Sequence, residues 1–131
     1  MVQVVCGWFH SVALLSNGTV RCWGNNYHNQ CDPVHFSLTD VIQVACGAAH
    51  SVALLTNGTV QCWGDDEDNQ CDPVHLTFTE VVQVACGDAH SVALLSNGTV
   101  QCWGNNDNNQ CDFVHCTITN VMILCDTITL W

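Results

Sequence analysis

Apolar and polar residues alternate along this chain in short runs, each closed by glycine or by a polar cluster. In the middle of the chain VIQVAC (residues 41–46) ends at Gly47 and HSVALL (50–55) ends before Asn57-Gly58. TVQCW (59–63) then ends at Gly64, and VHLTFT (74–79) follows a polar stretch. Period-two alternation bounded by turn residues predicts β-strands. Val52 and Leu54 occupy one face of the second run, and Ala53 and Leu55 the other, so this strand is apolar on both sides and belongs between stacked sheets. Val74, Leu76 and Phe78 alternate with His75, Thr77 and Thr79, which suits an outer strand with one dry face. Asn57-Gly58 between two apolar runs signals a hairpin, read here as a type I′ turn with positive φ at both central residues. No window carries helical periodicity.

The pattern repeats. At an offset of 40 residues VIQVACGAAHSVALLTNGTVQCWG (41–64) lies over VVQVACGDAHSVALLSNGTVQCWG (81–104) and over VQVVCGWFHSVALLSNGTVRCWG (2–24), without insertion or deletion. Three units follow, 1–40, 41–80 and 81–120, with 121–131 (VMILCDTITLW) as an incomplete fourth repeat or tail. Two-sided inner strands and a one-sided outer strand at this period predict an all-β protein: a partial, three-bladed β-propeller of four-stranded antiparallel blades. Helical repeats lack support, and WD-type blades place Gly and His adjacent and end in Trp-Asp. Here Gly47 and His50 are separated by two residues and Trp63 precedes Gly64.

The motif Val-Ala-Cys-Gly-x-x-His-Ser-Val-Ala-Leu at 44–54 and 84–94, followed by Asn-Gly-Thr-Val-x-x-Trp-Gly, resembles the repeat of the regulator-of-chromosome-condensation family. The likeness runs from residue 1 to about 120, nearly the whole chain. Asn-Gln-Cys-Asp at 29–32, 69–72 and 109–112 departs from the family's usual Gly-Gln-Leu-Gly. The resemblance implies a seven-bladed propeller in a family that includes a nuclear small-GTPase exchange factor, ubiquitin-ligase scaffolds and a bacterial β-lactamase inhibitor. Fold alone does not choose among them. Three blades leave open sheet faces. That predicts a fragment of a full ring, self-association through the open faces, or a partner that covers them.

Composition narrows the partners. The 131 residues carry a formal charge of -11, with Arg21 the sole Lys or Arg against twelve Asp and Glu. Such a chain cannot neutralise a phosphate backbone or anionic lipid heads, so neither nucleic acid nor a membrane is expected. A protein partner, basic if charged, fits better. The apolar N-terminus lacks a basic leader-like start and belongs to the first repeat. The expectation is an intracellular chain, cytoplasmic or nuclear, with its eleven cysteines as reduced thiols. Eleven is odd, so complete internal pairing is excluded in any case.

Candidate chemistry is sparse. Cys-x-x-x-His recurs (Cys46 and His50; Cys71 and His75), but without the close Cys pairs of structural zinc the cysteines read as small buried hydrophobes. His50-Ser51 and its equivalents point to opposite faces of a strand, so they are not a nucleophile–base pair. A buried histidine bonded to backbone is expected instead. Asp65-Asp66-Glu67-Asp68 lacks the glycine of a calcium loop and reads as solvated. Asn17, Asn57 and Asn97 sit in Asn-Gly-Thr, a turn that is also a glycosylation acceptor pattern; the turn role accounts for them. No enzyme activity, cofactor or metal is expected. The units differ mainly between Gly and His and after Trp-Gly, and loops on a rigid frame carry specificity. Candidate contacts are therefore Trp8, Phe9, Tyr27, His28, Asp65, Asp66, Glu67, Asp68 and Asp88, with Trp8 and Phe9 as the aromatic anchors. An interaction or scaffold module is the leading expectation. The alternative is a regulatory exchange factor or enzyme inhibitor of which this chain is a fragment.

Overall fold

The computed structural model describes residues 3–27, 31, 38–67, 71, 79–107 and 111. Nine strands form three sheets in chain order. Blade 1 is β1 (Gln3–Cys6), β2 (His10–Leu14) and β3 (Val20–Gly24). Blade 2 is β4 (Val41–Cys46), β5 (His50–Leu55) and β6 (Val60–Gly64), and blade 3 is β7 (Val81–Cys86), β8 (His90–Leu95) and β9 (Val100–Gly104). Each is an antiparallel meander, with its strands in the order of the chain. The described blades thus hold three strands rather than the expected four; the fourth run of the middle repeat, Thr79 apart, lies outside the described residues, as does 121–131.

The central strands are two-faced, as their sequences predict. Val12, Leu14 and Val20 of blade 1 pack with Val41, Val44, Ala53 and Trp63 of blade 2. Val52, Leu54 and Val60 of blade 2 pack with Val81, Val84, Ala93 and Trp103 of blade 3. Val52 and Ala53 of β5, neighbours in sequence, are both fully buried, yet they serve different inter-blade cores. The core of this protein lies between its blades.

The tryptophan before each closing glycine locks the stack. Trp63 and Trp103 are 3% and 2% exposed, whereas their equivalent Trp23, on the side of blade 1 away from blade 2, is 52% exposed. Inner strands of neighbouring blades are joined by glutamine amides: Gln3 Oε1 accepts from Val44 N at 3.0 Å. Gln43 accepts from Val84 N at 2.9 Å and donates to Val84 O at 3.2 Å.

The hairpins correct the expected turn type. Only the glycines have positive φ, 81° at Gly18, 80° at Gly58 and 85° at Gly98. Gly18 N donates to Leu15 O at 3.0 Å and Leu15 N to Thr19 O at 2.9 Å, which makes a three-residue loop whose glycine forms a bulge. The asparagine before it stays at negative φ because its side chain does the work. Asn57 Oδ1 accepts from Thr59 N at 3.0 Å and Thr59 Oγ1 at 2.6 Å.

Candidate functional site

Strand register places the loops. His10 pairs with Gly24, His50 with Gly64 and His90 with Gly104, so the Gly-x-x-His loops and the loops after Trp-Gly emerge at the same end of every blade. The Asn-Gly turns emerge at the other. The two loop families are bonded together: Asn25 N donates to Phe9 O at 2.7 Å, Asp65 N to Ala49 O at 3.0 Å and Asn105 N to Ala89 O at 2.9 Å. Both variable segments of the repeat therefore share one rim.

Blade 1 supplies aromatic surface to that rim. Trp8, Phe9 and Tyr27 are 66%, 71% and 88% exposed. Trp8 and Phe9 meet edge to face, with ring centroids 6.5 Å apart. Trp8 is held in place, since Trp8 N donates to Ala48 O at 3.0 Å and Ala48 N to Asp88 O at 2.9 Å. The indole Nε1 donates to Asp88 Oδ1 at 3.3 Å, reaching from blade 1 to blade 3. The small Ala48 of blade 2 leaves this reach unobstructed.

Blades 2 and 3 supply carboxylates. Asp66, Glu67, Asp88 and Asp107 are exposed, and Asp65 is half-buried. Part of this acidity is structural. Asp65 Oδ1 accepts from Glu67 N at 3.2 Å and Asp66 Oδ1 from Cys71 N at 2.7 Å, as Asn25 and Asn26 do for Tyr27 N and Cys31 N. Asp and Asn interchange at these positions because each offers the same acceptor oxygen to the turn. Seven of the nine expected contact residues thus lie on one rim; His28 and Asp68 fall outside the described residues. Among the described residues no three His, Cys, Asp or Glu side chains gather as a metal site.

The expectation of reduced thiols is overturned for six cysteines. Cys22 is joined to Cys31, Cys62 to Cys71 and Cys102 to Cys111. Each bond spans nine positions and ties the third strand of a blade to the end of its rim loop. An Asx side chain accepts from the second cysteine's N–H in each blade, and the paired Cα atoms lie 5.2, 5.1 and 5.0 Å apart. These six are cross-links, and Cys22, Cys31 and Cys62 also pack as small apolar groups, Cys22 and Cys62 against the inter-blade cores.

Cys6, Cys46 and Cys86 are free thiols. With Gln3, Gln43 and Ala85 they line a groove of about 220 Å³ along the inner strands. Burial pushes the Cys46 thiol up to about 12 and raises Cys86 as well, so both stay protonated at neutral pH and are poor nucleophiles.

The histidines His10 and His50 also find side-chain partners across the blades, where only backbone was expected. His10 Nε2 lies 2.9 Å from Ser51 Oγ of the next blade, and His50 Nε2 lies 2.9 Å from Ser91 Oγ. Ser51 Oγ also lies 3.6 Å from Cys46 Sγ. Nδ1 of His10 and His50 is buried without a partner. A buried N–H left unpaired costs more than an unpaired acceptor. The favoured tautomer therefore carries its proton on Nε2, which donates to the serine; the serine hydroxyl faces the thiol. The glycine before each histidine follows from this packing. A Cβ on Gly47 would strike the His50 ring and sit 2.6 Å from Gly87 O of the next blade. Burial first, then the nearby His90, lowers His50 to about 4, so it is neutral at pH 7. These bridges escape residue-by-residue reading because each partner lies 41 positions away; the repeat period plus one is the signal that finds them.

Comparison with known proteins agrees with this geometry. The family model for the regulator of chromosome condensation (RCC1) repeat matches residues 1–30, 41–70 and 81–110. An RCC1 repeat-containing protein of Dictyostelium discoideum is 44% identical over 34 residues, 26% of this chain and 7% of that protein. The crystal structure of human WBSCR16 is similar with a TM-score of 0.71 and 29% identity, over 91% of this chain and 37% of that one. Yeast RCC1 (Prp20), solved bound to Kap60, gives a TM-score of 0.70 and 24% identity, over 90% of this chain and 33% of that one. The chain thus spans about a third of the length of these two structures.

Proposed function

The chain belongs to the regulator of chromosome condensation repeat family, and from that footing we propose that it is a protein-interaction module whose loop rim holds a basic partner segment. The observation that carries this reading is the convergence of both variable loop families on one rim. Exposed Trp8, Phe9 and Tyr27 lie there beside the carboxylates of Asp66, Glu67 and Asp88. Aromatic rings offer apolar area at small entropic cost, and their faces attract cations. The carboxylates add long-range attraction for Lys and Arg. The partner is a segment whose basic side chains alternate with apolar ones. The similarity to yeast RCC1, a protein bound by Kap60 in its crystal structure, supports a protein rather than a small molecule.

The test is capture of Lys/Arg-rich peptides from a synthetic library by the full chain, repeated with Trp8→Ala, Phe9→Ala and Asp66→Asn. Hot-spot loss at either aromatic weakens binding by about 10-fold or more, and binding weakens with added salt. Peptide capture that ignores all three substitutions, or salt, refutes the rim. A second reading follows from the same likeness: guanine-nucleotide exchange or enzyme inhibition by a full ring of which this chain is a part. Accelerated nucleotide release from a small GTPase by the chain would favour it.

A further inference from the structure

We propose that Asn17, Asn57 and Asn97 are acceptors for N-linked glycans, in a chain whose disulfides form in the same oxidising secretory compartment. One disulfide per repeat, in all three repeats, is the pattern of a chain made where thiols are oxidised. There, two thiols give two electrons and two protons to a protein disulfide donor. In that setting each Asn-Gly-Thr is also an acceptor sequence. The proposal departs here from the intracellular setting expected from the sequence.

The geometry leaves the reacting atom available. All three asparagines are exposed at hairpin tips. Because Thr19, Thr59 and Thr99 donate both N–H and O–H to the asparagine, the atom that faces them is Oδ1. The turn therefore occupies the carbonyl oxygen and leaves the Nδ2 amide outside its hydrogen bonds. In the transfer Nδ2 forms a bond to the anomeric carbon of an oligosaccharide carried on a polyprenyl diphosphate. The bond from that carbon to the diphosphate oxygen breaks, the amide releases one proton, and the polyprenyl diphosphate leaves. Strand register puts all three acceptors on the rim opposite Trp8, Phe9 and Asp88. The sugars would cover one end of the stack and leave the loop rim bare.

The experiment reads mass, not binding, so it stands apart from the rim hypothesis. The full chain is recovered from the cells that make it, with free thiols blocked at lysis. Its mass is measured before and after a glycan-releasing amidase in heavy-oxygen water. The expected chain is heavier than 14.3 kDa, returns near that mass on release, and carries heavy-oxygen aspartate at positions 17, 57 and 97. Cys22, Cys62 and Cys102 are expected without blocking groups. In the same cells Thr59→Ala is expected to abolish modification at Asn57 alone, whereas Thr59→Ser retains it. Three unmodified asparagines overturn the acceptor assignment, and so does modification at Asn57 that persists in Thr59→Ala. Blocking groups on Cys22, Cys62 and Cys102 overturn the compartment.

Discussion

Removing the bond between Cys62 and Cys71 with a Cys62→Ala/Cys71→Ala double substitution isolates what one cross-link contributes. The bond spans nine positions. Closing a loop of that length in the unfolded chain removes about 8.6 cal/mol/K, or about 2.6 kcal/mol at 25 °C. Loss of side-chain burial is small, because alanine keeps the β-carbon and both positions are only half-buried. With a urea slope of about 1–3 kcal/mol/M the unfolding midpoint falls by about 1–3 M. The fluorescence of Trp63, buried beside Cys62, reports the transition. The three bonds close loops of equal length, so the entropic argument predicts equal losses for all three pairs. Together they come to about 8 kcal/mol, against a typical total of about 5–15 kcal/mol. A double variant with an unchanged midpoint refutes the reasoning. So do losses that follow burial, with the Cys22–Cys31 pair largest because Cys31 is 8% exposed.

Three further outcomes are expected, each read as a urea midpoint. Trp63→Ala empties an inter-blade core and costs about 3–5 kcal/mol, whereas Trp23→Ala, at the same register position but 52% exposed, costs under about 1 kcal/mol; equal losses would contradict the stacking account. Glu80, with φ at 65°, sits in the left-handed region without being glycine, and Glu80→Gly stabilises by about 0.5–1 kcal/mol once glycine's extra chain entropy offsets part of the relief. His50 is held near 4 against an ordinary 6.5, so the unfolded chain binds the proton more readily. The stability tied to this group is complete above about pH 6.5 and is lost as pH falls through 4, with about 2 kcal/mol gone by pH 5. His10 and His90, lowered by burial, act in the same direction. A midpoint that holds steady between pH 7 and 5 would refute neutral burial of these histidines.

The repeat made the blade legible, because three ungapped copies fix register without any energetic reasoning. The two-sided character of HSVALL was legible from its alternation, and Val52 and Ala53 do serve separate cores. What escaped was chemistry between side chain and backbone, or between repeats. Asn57 favours an Asx-type loop over a type I′ turn because Thr59 offers it two donors. Cys62 and Cys71 meet where Asp66 holds the Cys71 N–H, and their recurring nine-residue spacing was the available clue. Of the rim, the sequence located the residues through their variability. It could not place the two loop families at one end, which depends on His50 pairing with Gly64.

The bridge from His10 to Ser51 has a consequence during synthesis. The two residues are 41 positions apart. At about 5–20 residues per second, a nascent chain that has just completed His10 needs about 2–8 s to make its serine. Through that interval the first blade has neither its hydrogen-bond partner nor the Trp63 lid for its apolar face. Each blade is finished by its successor, so the growing end is always one repeat behind the ribosome. The chaperone demand of such a chain follows the pace of translation more than the stability of the finished stack.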